Sequence, residues 1–332
     1  MNNSTDEDTS NMAKRPATLD SFFSPPPLKR QREDKLDATT TEETSGETSK
    51  HNTYPWPIPH LPTHLVETLA FSPADEGRVM NDQPDLDLVY YQPYVPKDIA
   101  RPLFEFLRRE LFFYRVKYMI KRGPTETQIN TPRFTTVFGL DETSRFDDNG
   151  GIVDAITKKS VAAKDYRTCK PRPIPECLDA LRRLTEGATG CQFNFCLVNY
   201  YATGDDSISY HSDDERFLGP DPAIASFTLG AKRDFLLRHK KTGSGHPSES
   251  KPLKLPLASG DMVLMKGRTQ ECWEHSIPKR KGGESGNGRI NITFRRAMVK
   301  GGTANYYRYN VGDGEVFGWD EGRREMVPWK KG

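Results

Sequence analysis

From residue 192 onward the chain is built of short apolar–polar alternations, each stopped by Gly, Asp, Asn or Pro; the clearest are 192–201, 223–229, 233–238, 261–266 and 289–297. Alternation with a period of two places one side chain set on each face of a strand. Short strands of this kind do not stand alone in water and must pair and stack. Many of them, separated by turn residues, predict a β-sandwich or barrel. Upstream, Leu103, Phe104, Leu107 and Leu111 recur at helical spacing over 98–112, and Leu178, Leu181 and Leu184 do so over 175–186. The fold class expected is mainly β with flanking helices, an α+β chain.

The first part of the chain has a different composition. Residues 1–52 are rich in Ser, Thr, Asp, Glu and Pro, their only aromatics are Phe22 and Phe23, and they carry seven Lys or Arg against ten Asp or Glu. So little apolar surface does not offset a backbone entropy cost of about 1–2 kcal/mol per residue, so this segment reads as a disordered arm. The body is basic by contrast, although the whole chain has a net charge of only +2 over 332 residues. The five cysteines form no C-x-x-C pair, which predicts free thiols in a reducing compartment. No apolar run approaches the roughly 18 residues of a membrane span, so no membrane partner is expected.

The chemistry gathers between 199 and 295. His211 and Asp213 stand two apart, which in extended backbone turns both side chains to one face, and His275 follows 64 residues later. Two imidazoles and a carboxylate make a facial triad that leaves adjacent positions open on Fe(II). With seven histidines in the chain, a chance His-x-Asp pair is the competing explanation. Residues 289–296 read Arg-Ile-Asn-Ile-Thr-Phe-Arg-Arg. As a strand, this puts Ile290, Ile292 and Phe294 on a core and Arg289, Asn291, Thr293 and Arg295 on the opposite face. That polar face suits either solvent or a cavity gripping a dicarboxylate, since guanidinium pairs with carboxylate in two parallel bonds. Asn199 and Tyr201 end the run FNFCLVNYY on a shared face and are further candidates for the same ligand.

Together, Asn199-x-Tyr201, His211-x-Asp213, His275 and Arg289-x-Asn291-x-Thr293-x-Arg295 resemble the AlkB family of Fe(II)/2-oxoglutarate dioxygenases. FNFCLVNYY, ISYHSDDE, SFTLGAKRDFLLRH, SGDMVLM, EHSIP and RINITFRR all stand in that family's order. The resemblance covers about residues 86–298 and is nearest the branch that repairs alkylated DNA. It implies a double-stranded β-helix, or jelly roll, as the core at about 190–298 of a dioxygenase domain spanning 53–298. It implies His211, Asp213 and His275 as iron ligands. Asn199, Tyr201, Arg289, Asn291, Thr293 and Arg295 then hold 2-oxoglutarate, with Arg289 toward the metal and Arg295 on the distal carboxylate. The implied reaction uses Fe(II), 2-oxoglutarate and O2 to hydroxylate an N-methyl carbon of 1-methyladenine or 3-methylcytosine. Formaldehyde, succinate and CO2 are released. The target base must leave the stack to reach the metal.

A nucleotide-recognition lid is expected at about 121–175. Arg133 and the loop before it face the nucleic-acid backbone in this reading, Tyr166 helps sandwich the base, and Asp214 and Glu215 read its edge. Thr168 replaces a family aromatic, and residues 140–165 are an insertion. Residues 299–332 lie beyond the resemblance. Tyr306, Tyr307, Tyr309, Phe317, Trp319 and Trp329 make them too aromatic for a free tail, and they are expected to pack on the body.

In the arm, Leu19, Phe22 and Phe23 stand at i, i+3 and i+4 and resemble the peptide that docks on the sliding clamp, PCNA, with Pro16 in place of the usual Gln. Lys14-Arg15 and Lys29-Arg30-Gln31-Arg32 resemble a nuclear localisation signal. The expectation is a monomeric nuclear DNA demethylase. The alternatives are the same chemistry on RNA, or a non-catalytic member that binds nucleic acid or the clamp. A zinc hydrolase is disfavoured, because no H-E-x-x-H occurs.

Overall fold

Strand Arg289–Arg295 is buried along its whole length, which is possible only if both of its faces are covered. In the computed structural model, which describes residues 46–161, 166, 170–240, 250–282, 287–312 and 314–330, this strand lies near the middle of a ten-stranded antiparallel sheet. The strand order is Glu325–Pro328, Val316–Asp320, Phe113–Tyr114, Phe134–Gly139, Phe195–Tyr201, Arg289–Arg295, Ile224–Gly230, Met262–Met265, Leu88–Tyr91 and Arg78–Met80. A second sheet of four strands runs Ile208–His211, Trp273–Ile277, Arg233–His239 and Leu253–Leu257. The chain repeatedly crosses between the two sheets. The inner faces of both line one cavity, which is the jelly-roll arrangement.

The outer face of the large sheet packs against helices. Helix Lys97–Glu110 buries Ile99, Leu103, Phe104, Phe106 and Leu107, and helix Glu176–Thr189 buries Leu178 and Leu181. Both helices start and end within three residues of the spans expected from periodicity. Glu176–Thr189 stops at Gly190, whose φ of 68° is the left-handed cap that glycine adopts without strain.

Three departures from the sequence reading concern boundaries. Order begins before residue 53. Thr48–Ser49 pairs with Ile58–Pro59, and the His51 ring packs at 5.2 Å on Phe146. The segment expected as a loop before Arg133 is a hairpin of Lys117–Arg122 on Thr125–Asn130. Within the insertion, Ser144–Phe146 pairs with Ile152–Asp154. Leu19, Phe22 and Phe23, and the basic clusters around them, lie outside the described residues.

The C-terminal segment is part of the fold. Helix Thr303–Asn310 is pinned by fully buried Tyr307, whose hydroxyl donates to the Gly139 carbonyl at 2.8 Å and accepts from the Arg172 amide at 3.1 Å. The Thr135 hydroxyl donates to the Asn310 carbonyl. Strand Val316–Asp320 then joins the large sheet beside Phe113–Tyr114. No helix among the described residues is long and apolar enough to cross a membrane.

Candidate active site

Register decides which side chains meet. His211 is paired directly with His275 across neighbouring antiparallel strands, and their rings lie 4.3 Å apart. Asp213 follows where the chain leaves the strand. Its Oδ1 is 3.9 Å from His211 Nε2 and its Oδ2 is 3.8 Å from His275 Nε2. The three donor atoms fall within 4.8 Å of one another. The surrounding contacts aim them. His211 Nδ1 donates to the Ser209 carbonyl at 2.8 Å, which leaves the Nε2 lone pair facing inward. The Ser212 hydroxyl donates to the Trp273 carbonyl at 2.8 Å, and the Asp213 amide donates to Gln270 Oε1 at 2.9 Å. These two bonds tie the His-x-Asp turn to the segment that carries His275. Gln270 carried no motif signal, and only the fold reveals it.

Electrostatics keep the donors in ligating form. Burial holds the His275 imidazole neutral, lowering its pKa to about 3. Burial opposes ionisation of Asp213, but the Arg295 guanidinium bonded to it helps hold the carboxyl below its usual range. A second donor set, Asp85, His239 and Cys272, has similar spacing. There Arg268 Nη1 already sits 2.6 Å from Asp85 Oδ1, and none of the three lines the cavity.

Beside the triad is a cavity of about 170 Å³. Its floor is the inner face of three adjacent strands. Asn291 is paired with Asn199 on one side and Thr228 on the other, Arg289 with Tyr201 and Gly230, and Thr293 with Leu197 and Ser226. Asn291 Nδ2 donates to Ser226 Oγ and the Phe227 carbonyl, and Thr293 Oγ1 donates to the Leu197 carbonyl. Arg289 and Arg295 are only 1% and 2% exposed, which excludes a solvated face. Arg289 donates through Nη2 to Thr228 Oγ1 at 2.8 Å, yet its Nε and Nη1 find no hydrogen-bond partner among the described residues. Arg295 Nε and Nη1 are likewise open. Leaving buried donors open costs about 1–3 kcal/mol each, more for charged groups, and favours an anionic ligand at this place. Burial also pulls the Arg289 pKa down to about 10.

The two arginines stand in the reverse of the expected order. Arg295 Nη2 donates to Asp213 Oδ1 at 2.9 Å, so Arg295 is at the metal end. Arg289 is six residues along the strand, roughly 20 Å away at the backbone for a rise of about 3.4 Å per residue. There its guanidinium lies 5.2 Å over the Tyr201 ring. Arg289 therefore stands at the end of the cavity away from Asp213.

The substrate-side candidates separate. Arg133 reaches into the cavity and donates through Nε to Asn199 Oδ1 at 2.9 Å, and so is not turned outward to a backbone. Glu215 lines the cavity 3.6 Å from Arg295 Nη1, with burial raising its pKa to about 7 against the pull of Arg295. Asp214 points away and pairs with Lys240 Nζ at 3.1 Å on the surface. Tyr166 is 6% exposed, its hydroxyl bonds Asp141 Oδ2 at 3.1 Å, and it does not line the cavity. The polar anchor supplied by the insertion takes it into the body. Two residues outside the resemblance do line the cavity, Tyr306 and Asn310 of the C-terminal helix, and the Arg295 guanidinium lies 5.1 Å over the Tyr306 ring. Their signal in the sequence is the aromatic run NYYRYN.

A jelly roll with a two-histidine, one-carboxylate cluster and buried guanidiniums beside it defines the class as metal-dependent oxygenase. Residues 87–295 match the model of the 2OG-Fe(II) oxygenase superfamily, and the chain belongs to it. Human "DNA oxidative demethylase ALKBH2" is 41% identical over 133 residues, covering 40% of this chain and 50% of that protein. The Arabidopsis thaliana protein of the same name is 29% identical over 249 residues, 70% of this chain and 73% of that one. Human "Alpha-ketoglutarate-dependent dioxygenase alkB homolog 3" is 40% identical over 131 residues, 39% and 45% of the two chains. The chain thus spans about half the length of the human relatives it matches. The name of the last of these relatives carries alkB, the family to which the resemblance pointed.

Proposed function

We propose that this protein is an oxidative demethylase of N-alkylated bases in DNA. The observation that carries the reading is the convergence of His211, Asp213 and His275 beside two buried guanidiniums with open donors. His211, His275 and Asp213 would hold Fe(II), which when bound would supply oxidation of an N-methyl carbon by O2, coupled to conversion of 2-oxoglutarate to succinate and CO2. Arg289 grips the distal carboxylate of 2-oxoglutarate, with Tyr201 beneath it, and Arg295 orients Asp213 while presenting its open nitrogens to the metal end. Asn199, Asn291 and Thr293 complete the polar wall, while Leu197, Phe235 and Ile277 exclude water. Glu215 faces the extruded base, whose methylated ring is cationic, and Arg133 holds Asn199 in place. The name carried by the ALKBH2 relatives supports DNA over RNA as the substrate. In the same reading the protein acts as a nuclear monomer, and Leu19, Phe22 and Phe23 bind the sliding clamp.

The test uses purified full chain with Fe(II), ascorbate, 2-oxoglutarate and oligonucleotides carrying 1-methyladenine or 3-methylcytosine. Formaldehyde release from DNA is expected, with RNA the slower substrate. His211→Ala is expected to reduce release to background while far-UV circular dichroism is unchanged. Turnover by that variant would remove His211 from the triad. Phe22→Ala with Phe23→Ala is expected to weaken clamp binding.

A further inference from the structure

Away from the catalytic cavity, Asp85, His239 and Cys272 bring a carboxylate, an imidazole and a thiol together, with donor atoms within 4.8 Å of one another. The three come from distant parts of the chain. Asp85 lies between strands Arg78–Met80 and Leu88–Tyr91, His239 ends strand Arg233–His239, and Cys272 ends the short helix Thr269–Cys272. Direct bonds already join these segments. Trp273 Nε1 donates to the Pro84 carbonyl at 3.0 Å, and the Asp87 amide donates to Thr269 Oγ1 at 2.9 Å. The His239 ring packs edge-on against Trp273 at 5.4 Å. The fold therefore holds the three donors at one place. Cys272 is 9% exposed there, while Asp85 and His239 are half-buried, so water reaches one side of the cluster.

The hydrogen bonds around the cluster leave a gap of definite sign. His239 Nδ1 donates to the Lys240 carbonyl at 2.8 Å, so that nitrogen carries the ring proton. His239 Nε2 then turns its lone pair toward Asp85 Oδ2 at 3.4 Å. Two acceptors face each other, and a positive species belongs between them. Arg268 does not supply it, because its guanidinium bonds the other Asp85 oxygen, Oδ1, at 2.6 Å and Glu271 at 2.9 Å. We propose that Asp85, His239 and Cys272 bind a Zn(II) ion, with water as the fourth ligand, at a site separate from the catalytic triad. A thiolate with an imidazole selects Zn(II) over Mg(II) or Ca(II). Zn–N and Zn–O bonds of about 2.0–2.2 Å at a tetrahedral angle put two such donors about 3.3–3.6 Å apart, which the 3.4 Å between Oδ2 and Nε2 matches. Binding takes the proton from the Cys272 thiol, and the two anionic ligands then balance the ion. The ion braces the segment that serves the catalytic centre from behind. Cys272 stands two residues after Gln270, which accepts from the Asp213 amide, and three before His275.

The experiment uses the full chain carrying His211→Ala, which disables the triad, and titrates it with Co(II) and then Zn(II). Co(II) is the probe because a thiolate ligand gives a sulfur-to-cobalt charge-transfer band in the near ultraviolet, whereas the nitrogen and oxygen donors of the triad give none. The band is expected to appear on adding Co(II), to vanish as Zn(II) displaces it, and Zn(II) is expected to raise Tm. Adding Cys272→Ser should abolish the band and the rise in Tm. Asp85→Asn and His239→Gln, which leave the thiol in place, should abolish the rise in Tm as well, and they carry the test if the serine variant does not fold. Co(II) uptake without the band, or a band that survives Cys272→Ser, would overturn the site. A Tm unmoved by Zn(II) would also overturn it, and is the outcome if a second ring proton on His239 fills the gap. None of these readouts depends on turnover, so the site stands or falls apart from the demethylase reading.

Discussion

The two faces of strand Arg289–Arg295 are equally buried and do different work. Ile290, Ile292 and Phe294 are fully buried on the helix side. Arg289, Asn291, Thr293 and Arg295 are 8% exposed or less on the cavity side, where several guanidinium nitrogens have no hydrogen-bond partner among the described residues. Burial alone therefore does not tell a core from a binding site. Satisfaction does, since a packed apolar face is finished by folding and a face of open buried donors is finished by a ligand.

The largest effect that tests this difference is loss of the anchor shared by metal and strand. Asp213→Ala is expected to bring formaldehyde release to background and to strip Arg295 of its carboxylate partner, with retained turnover contradicting the site. Next come paired substitutions on the two faces. Ile292→Ala should cost about 2–5 kcal/mol in denaturant unfolding, with turnover per folded molecule preserved. Arg289→Met should hold or raise Tm, because a buried, incompletely paired charge is removed. It should also raise the KM for 2-oxoglutarate about tenfold to a hundredfold, as expected for losing about 1.5–3 kcal/mol of charged hydrogen bonding. A fall in Tm matching that of Ile292→Ala would erase the distinction between the faces.

A smaller effect is expected from Glu215, whose folded pKa of about 7 lies above its usual value of 4.5 because it is buried. The folded state holds the proton more tightly, so this group contributes stability at low pH that is lost as pH rises from about 4.5 to about 7. Glu215→Gln should remove that part of the slope in a pH series of unfolding midpoints, and an identical slope in both proteins would contradict it. The smallest effect is Asp214→Asn, which should change stability by less than about 0.5 kcal/mol and leave turnover intact, since Asp214 is a surface partner of Lys240.

Much of this protein was legible in its residues. Period-two alternation located the strands of the core, and helical spacing located both covering helices, because each pattern reports which face a local element must hide. The triad and the Arg-x-Asn-x-Thr-x-Arg strand were readable as types and spacings. The outcome for each flanking candidate was not. Asp214 and Glu215 are neighbours of the same chemistry, and the backbone turn alone sends one to Lys240 and the other into the cavity. Tyr166 was drawn into the body by Asp141, a partner 25 residues away. Which of Arg289 and Arg295 stands near Asp213 depended on which end of the strand Asp213 approaches, and the place of Tyr306 in the cavity wall on a helix docked through Tyr307. Local pattern determines what a segment must bury. The partner a polar side chain meets is set by long-range register and docking, which only the assembled sheets decide.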